Sequence, residues 1–309
     1  MVALFLIFAG NNNSFSIEWI KIGNPGNTAD DTGYGSVGYE YQISKHEVTN
    51  NQYIAFLNTV AASDLNALYN PSMSGTFGGI TRSGTSGFYT YALKNGDANW
   101  GNKPVIYVSW YDALRFTNWI HNGGLSSSDT EDGAYDMSLG SSVVRKSGAL
   151  VYLPTEAEWY KAAYYDGSSS TYYNYATGTD ILPNNNAPGS DTGNSVNVFY
   201  NSYAVGTPYY STDVGAYTLS SSPYGTFDQN GNVWEWNETQ IGLDRGIRGG
   251  SFDSNAFMKA TNRGDFNPTT ESLGTGFRLA APTPIPEPTA IFLFGVGVLF
   301  ELIRKKVRK

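Results

Sequence analysis

Two carboxylates, Asp228 and Glu235, sit at either end of the run Asp228-Gln229-Asn230-Gly231-Asn232-Val233-Trp234-Glu235. The Gly-Asn pair inside it forces a tight turn. Oxygen-rich turns of this kind suit a hard cation such as Ca²⁺ better than Zn²⁺. Equally, Glu235 could accept hydrogen bonds from backbone N–H groups with no ion present. Other chemistry is thinner. The chain has no cysteine, which removes disulfides, thiolate metal sites and thiol nucleophiles. His46 and His121 are its two histidines, and no G-x-S-x-G elbow accompanies them. Asp228, Asp253 and Asp265 could supply a carboxylate pair for glycoside hydrolysis, yet their spacing singles out none of them. Arg248 and Arg278 are expected to be buried and bonded to loop carbonyls rather than to clamp a substrate. Glycine-rich stretches such as 75–87 lack a Walker lysine and read as loops.

Three helices must carry these residues. Thr49-x-x-Gln52, Ser109-x-x-Asp112 and Thr155-x-x-Glu158 have the form of capping boxes. Each opens an apolar helical period: Tyr53, Phe56, Leu57 and Val60; Trp110, Ala113, Leu114, Thr117 and Ile120; Ala157, Tyr160, Ala163 and Tyr164. Short strands are predicted at 39–43, 105–108, 151–153 and 276–280, with Gly/Ser/Asn-rich loops at 70–87, 122–148 and 166–195. Loops this long need side chains or ions to hold them.

Several of these motifs together resemble the formylglycine-generating enzyme family, also called sulfatase-modifying factor domains. They are Glu47-Val48-Thr49-Asn50, Pro104-Val105 with Ser109-Trp110, Leu153-Pro154-Thr155-Glu156-Ala157-Glu158-Trp159, Gly231-Asn232-Val233-Trp234-Glu235-Trp236, Arg248-Gly249-Gly250-Ser251-Phe252 and Gly276-Phe277-Arg278. The resemblance spans roughly residues 17–281. It implies an irregular, loop-rich α+β fold, a variant of the C-type lectin fold with short strands and three main helices. It also implies a structural Ca²⁺ held by the side chains of Asp228 and Glu235 and the carbonyls of Gly231 and Val233. A second calcium turn would fall near Asn197 and Val198. The family's oxidases hold copper with two cysteines, and an ungapped count puts Ser254 and Lys259 in their places. Neither replaces a soft thiolate, so no copper is expected. The iron site of the sulfoxide-synthase branch needs a further His-rich helical domain that this sequence does not contain.

Both ends read as addresses. Residues 284–288 are Pro-Ile-Pro-Glu-Pro, within a proline-rich linker at 282–288. Residues 291–303 read IFLFGVGVLFELI, and the basic tail 304–309 follows. The apolar run at 289–303 is roughly 21 Å long as a helix, short of the ~30 Å of a bilayer core unless Lys and Arg snorkel. This order resembles a PEP-CTERM sorting signal, which implies an exosortase-type processing enzyme as partner and transient inner-membrane anchoring with the tail on the cytoplasmic side. Residues 2–9 form an apolar run that reads as part of a truncated signal peptide over 1–16, or else as a buried first strand. The formal net charge is -8 although five of the 19 basic groups crowd into the tail, so the body is acidic and unsuited to nucleic acid. The expected protein is exported to the surface or matrix of a Gram-negative bacterium. Its expected role is a non-catalytic binding module for exopolysaccharide or an envelope protein. The alternative is a divergent formylglycine-generating-type oxidoreductase acting on a protein or peptide.

Overall fold

All three capping boxes form. Thr49 and Gln52 exchange side-chain and backbone bonds at the start of α1 (Asn50–Val60), Ser109 and Asp112 at α2 (Trp110–His121), and Thr155 and Glu158 at α3 (Glu156–Tyr164). Each box satisfies N–H groups that the helix itself cannot. A computed structural model describes residues 5–7, of which only the backbone, 16–254 and 258–283. The sorting motif, the apolar segment 289–303 and the basic tail therefore lie outside the described residues, as does most of the N-terminal run.

The strands follow in chain order. β1 (Phe5–Ile7), β2 (Ser16–Ile22) and β3 (Tyr41–Ser44) come first, then β4 (Ile80–Ser83) and β5 (Thr90–Leu93). β6 (Tyr165–Asp166), β7 (Thr171–Tyr172), β8 (Phe199–Tyr200) and β9 (Ser202–Tyr203) are two-residue ribbons. β10 (Trp234–Ile241), β11 (Asp244–Arg248), β12 (Gly264–Phe266), β13 (Thr275–Phe277) and β14 (Ala280–Pro282) close the chain. One four-stranded sheet has the order β1-β2-β3-β14, another β12-β11-β10-β13. The result is the α+β, loop-rich architecture expected from the sequence. Part of the N-terminal run, residues 5–7, pairs with Glu18, Ile17 and Ser16, as the first-strand alternative requires.

Three strand expectations need correction. Residues 151–153 form no strand: Tyr152 makes only an isolated antiparallel bridge to Ala280. Residues 105–108 belong to no strand; Val105 N–H bonds Val48 O, Tyr107 stands at φ 60°, and the segment leads directly into α2. The segment 276–280 is two strands, not one: β13 lies parallel to β10 and β14 antiparallel to β3. Leaving one sheet for the other puts the intervening Arg278 between them. β14 also runs to Pro282, a residue the linker reading had claimed.

The main core is aromatic. Phe56 of α1 meets Phe116 and Trp119 of α2 at 5.4 Å each, and Phe116 meets Phe277 of β13 at 5.4 Å. Burying each such side chain stabilises by about 1.5–3 kcal/mol. Loops are held by side chains rather than by strands. Asn118 bonds Thr130 O, Tyr135 O and Tyr135 N–H; Asp191 accepts from Gly193 N–H, Leu219 N–H and the Ser220 hydroxyl.

Ion pairs lock these layers. Arg278 and Glu235, both fully buried, meet through Nε–Oε2 at 2.6 Å and Nη2–Oε1 at 2.7 Å. Trp159 of α3 donates to the same Oε2 at 2.7 Å. The other Arg278 N–H groups bond Ser44 O, Lys45 O and Phe227 O. Arg248 pairs with Glu156 of α3 and donates to Ala260 O and Asn262 O. Arg145 bridges Glu158 and Glu238. Both arginines singled out in the sequence thus hold loop carbonyls in place.

Removing one partner of such a pair strands a buried charge. Arg278→Met and Glu235→Leu should each cost about 3–5 kcal/mol in denaturant melts, and the double variant clearly less than the sum. Additive costs would show the pair to be uncoupled.

His46 makes the fold sensitive to mild acid. It stacks near Phe227, and burial, then the charges of Arg278 and Lys45, lower its pKa to about 4 against the weaker pull of Glu18. The unfolded chain takes up this proton near pH 6.5, the folded chain only near 4. This contribution to stability is therefore complete above pH 6.5 and lost as pH falls towards 4, amounting to about 3 kcal/mol at most. In urea melts at pH 7 and pH 4.5, His46→Gln should show a smaller drop than wild type; an equal drop would assign the loss to other groups.

Candidate functional site: an aromatic file beside the Ser251–Ser254 turn

After β11 the chain reverses through Gly249 and Gly250, both at positive φ (103° and 79°). A side chain at Gly249 would press on Gln229 O and the Trp159 ring. The reversal presents Ser251, Phe252, Asp253 and Ser254. Ser251 Oγ donates to Asp253 Oδ1 at 2.6 Å, and Ser254 Oγ accepts from Ser251 N–H at 2.7 Å. Gly274 lies so close that a Cβ there would come within 2.8 Å of Asp253 Oδ1. Asp253 itself is exposed.

Two bulky residues flank this turn in a backbone conformation that side chains rarely adopt. Tyr107 and Tyr210 both have φ of 60°. For a tyrosine such a φ is strained by about 1–3 kcal/mol and persists only where surrounding bonds impose it. Tyr107 N–H bonds Ser272 O, and burial and then the Asp253 charge raise its phenol above the usual range. Tyr210 is fixed by Asn197, whose side-chain amide donates to Tyr210 O at 3.0 Å.

From Phe252 a file of rings runs outward. Phe252 and Phe77 stack at 6.0 Å, Phe77 meets Tyr210 at 4.8 Å, Tyr210 meets Tyr203 at 4.8 Å, and Tyr203 meets Phe199 at 5.0 Å. Burial falls along the file: Phe252 is fully buried, Phe77 and Tyr210 half-buried, Tyr203 exposed. Beside it Tyr209 packs on Trp100 at 5.0 Å, donates to Asp97 at 2.7 Å and lies under Lys103. The ribbon of β8 and β9 carries the outer end. The arrangement offers ring edges and faces next to carboxylates, amides and hydroxyls. That suits non-covalent recognition of a polar ligand with an apolar face.

Ser254 is part of the turn, and Lys259 lies beyond residues 255–257, which are not among those described. His121 accepts a bond from Leu150 N–H at the end of α2. Asp265 is exposed on β12. Among the described residues, neither His121 nor Asp265 bonds to Ser251–Ser254.

The turn at Asp228–Glu235 lies inside the fold. Gly231 (φ 85°) packs so tightly that a Cβ would meet Asn197 O at 2.4 Å. Val233 is fully buried. Asp228 accepts from Gly215 N–H at 2.5 Å and lies within hydrogen-bonding reach of the Glu47 carboxyl. Burial, more than any neighbouring charge, pushes Asp228 up to about 6 and Glu47 well above the carboxylate range. Glu235 does not face this space freely: both its oxygens are taken by Arg278 and Trp159. As a set, therefore, Asp228, Gly231, Val233 and Glu235 do not fit Ca²⁺, while Asp228 alone keeps an acidic neighbour. Among the described residues no three His, Cys, Asp or Glu side chains converge.

Sequence reasoning missed Phe77, Tyr107, Tyr203, Tyr210 and Glu47. Tyr107 and Tyr210 sit in loops without period and Tyr203 in the two-residue ribbon β9, so no periodic pattern marks them. Glu47 was legible as part of the motif opening α1, but not as a buried acid.

The model of the sulfatase-modifying factor enzyme 1-like domain matches residues 32–283. No curated protein matches the sequence. Among solved structures, Treponema denticola variable protein 1 is similar at 20% identity and a TM-score of 0.56, over 91% of this chain and 99% of that one. CarF follows at 21% and 0.52, over 86% and 98%, and PvdO from Pseudomonas aeruginosa at 14% and 0.51, over 91% and 98%. At these identities the likeness establishes a shared fold. With the family model matching most of its length, the chain belongs to the sulfatase-modifying factor enzyme 1-like domain family.

Proposed function

We propose that this chain is an exported, non-catalytic binding module whose ligand is a polysaccharide. The observation that carries the reading is the pair of strained tyrosines, Tyr107 and Tyr210, flanking a cysteine-free turn where the family resemblance would put a copper centre. Strain of this kind collects where a ligand is clamped. A sugar ring has an apolar face for Tyr203, Tyr210 or Phe77, and hydroxyls for Asp253, Asp97 and Asn99. Tyrosine suits such a surface because it offers large contact area at low entropy cost. The oxidoreductase alternative finds no cysteine thiolate anywhere in the sequence. Export rests on the terminal segments, with an exosortase-type enzyme as the processing partner and the cell surface or matrix as destination.

The ligand reading predicts binding of the purified protein to an acidic or neutral bacterial exopolysaccharide on a glycan array. Tyr210→Ala and Tyr203→Ala should weaken it roughly tenfold each, by the ~1–2 kcal/mol of a lost aromatic contact. Leu243→Ala, at an exposed hairpin tip, should leave it unchanged. No glycan bound, or equal binding by all variants, would refute the assignment. Export predicts that truncation before Pro286 alters the fractionation of the protein between membrane and medium while leaving its melting temperature as it was. Identical fractionation of both forms would remove the sorting signal from the account.

A further inference from the structure

We propose that the cavity between residues 143–145 and the hairpin of β10 and β11 is a binding site for a small organic carboxylate, which the Arg245 guanidinium receives. The cavity measures about 210 Å³, and none of the residues lining it belongs to the aromatic file. The argument begins with charge. Arg145, Arg245 and Glu238 are the charged groups on its wall. Glu238 is already answered: both of its oxygens accept from Arg145 Nε, at 2.9 Å and 3.0 Å, and the Tyr135 hydroxyl donates to Oε1. Glu158 holds the other side of Arg145, does not line the cavity, and is itself met by the Thr155 N–H and the start of α3. Arg245 differs. It is 4% exposed and has no carboxylate partner among the described residues. Its bonds go to main-chain oxygens: Nη1 to Glu238 O at 2.9 Å, Nη2 to Ser141 O at 3.0 Å and Val143 O at 3.3 Å. Carbonyls carry only partial charge, so a buried cation is left without its counter-ion. Burial lowers its pKa despite the opposing fields of Tyr111 and Glu238.

The second observation is a free donor held in place. A guanidinium has five N–H donors, and three of these are used. Arg245 Nε–H finds no acceptor among the described residues. Unlike the orphaned Asn237 Nδ2, this nitrogen is not sealed off from open space. Nor can the group swing out to water, because its flat face lies on the Trp110 ring, 3.9 Å from the centroid. The rest of the wall is largely hydrocarbon. Val143 is fully buried, the Tyr135 ring stands beside it, and Val144, 64% exposed, forms the mouth. A fixed cation with a spare donor selects an anion, and the apolar wall selects one that carries a hydrocarbon body. A carboxylate on a ring or short chain meets both demands. Inorganic phosphate would meet the first and leave the wall unfilled.

Isothermal titration calorimetry of the full chain with benzoate, benzyl alcohol and inorganic phosphate tests this. One benzoate per chain is expected, with the alcohol and phosphate bound roughly tenfold or more weakly. Val144→Trp, at an exposed position, should fill the mouth and weaken benzoate roughly tenfold or more with the melting temperature unchanged. Arg245→Gln should abolish benzoate binding. Tyr210→Ala should bind benzoate as wild type does, which separates this site from the aromatic file. No benzoate bound by wild type would overturn the proposal. So would equal affinity for benzyl alcohol, which would leave the cavity merely apolar, or for phosphate, which would make it a general anion site. Undiminished affinity in Val144→Trp would place the acid elsewhere and overturn it too. If Arg245→Gln fails to fold, Val144→Trp and the comparison with the alcohol decide.

Discussion

The bidentate pair between Arg278 and Glu235 is the contact on which the remaining structure hangs. One guanidinium spends all its donors on β10, the end of β3 and the loop before Asp228. Through the Trp159 indole the same carboxylate reaches α3. Burying both charges recovers little net stability, because desolvation offsets the attraction. What the pair enforces is position. A one-residue slip of β10 against β13 would turn Glu235 away from Arg278 and leave both charges buried and alone.

The same device repeats around α3. Its first turn supplies Glu156 to Arg248 and Arg263, and Glu158 to Arg145. Carboxylates there also complement the partial positive charge of a helix N-terminus. Through Arg248 the helix fixes the carbonyls of Ala260 and Asn262 beyond β11; through Gly249 it touches the reversal that presents Ser251–Ser254. A cysteine-free chain with few regular strands thus replaces cross-links by arginine forks, each gathering several loop carbonyls at once.

What was legible in the sequence was local. The capping boxes at Thr49, Ser109 and Thr155 name their own partners three residues on, and all three formed. The apolar face of α1 was readable for the same reason. The hairpin of β10 and β11 was not, because its alternation is broken. Asn237 is fully buried within β10, and the pairing shifts between Trp236 and Gln240. A buried amide and a bulge destroy the period-two signal on which strand reading depends. Residues 105–108 show the opposite failure: Val-Ile-Tyr-Val has strand composition, but Tyr107 at positive φ cannot continue a strand. Glu235 was visible as a carboxylate in a turn, while its partner lies 43 residues away and no local pattern joins them.

The second failure bears on function. Tyr107 breaks the strand, and the residues after β10 and β11 are free to form the Ser251–Ser254 turn because β11 ends at Arg248. Strain at Tyr107 and Tyr210 is sustained by rigid neighbours, the Asn197 amide on one side and the chain at Ser272 on the other. Asn197 also donates to Asn232, which in turn donates to Glu47. A continuous file of buried amides therefore connects the backbone of the strained Tyr210 with the carboxylate pair in the interior. Asn232 is thereby tied both to Glu47 and, through Thr212 and Asn197, to the loop that carries Tyr210. In a surface built from loops, an interior charge placed this way can set the geometry of exterior rings that it never touches.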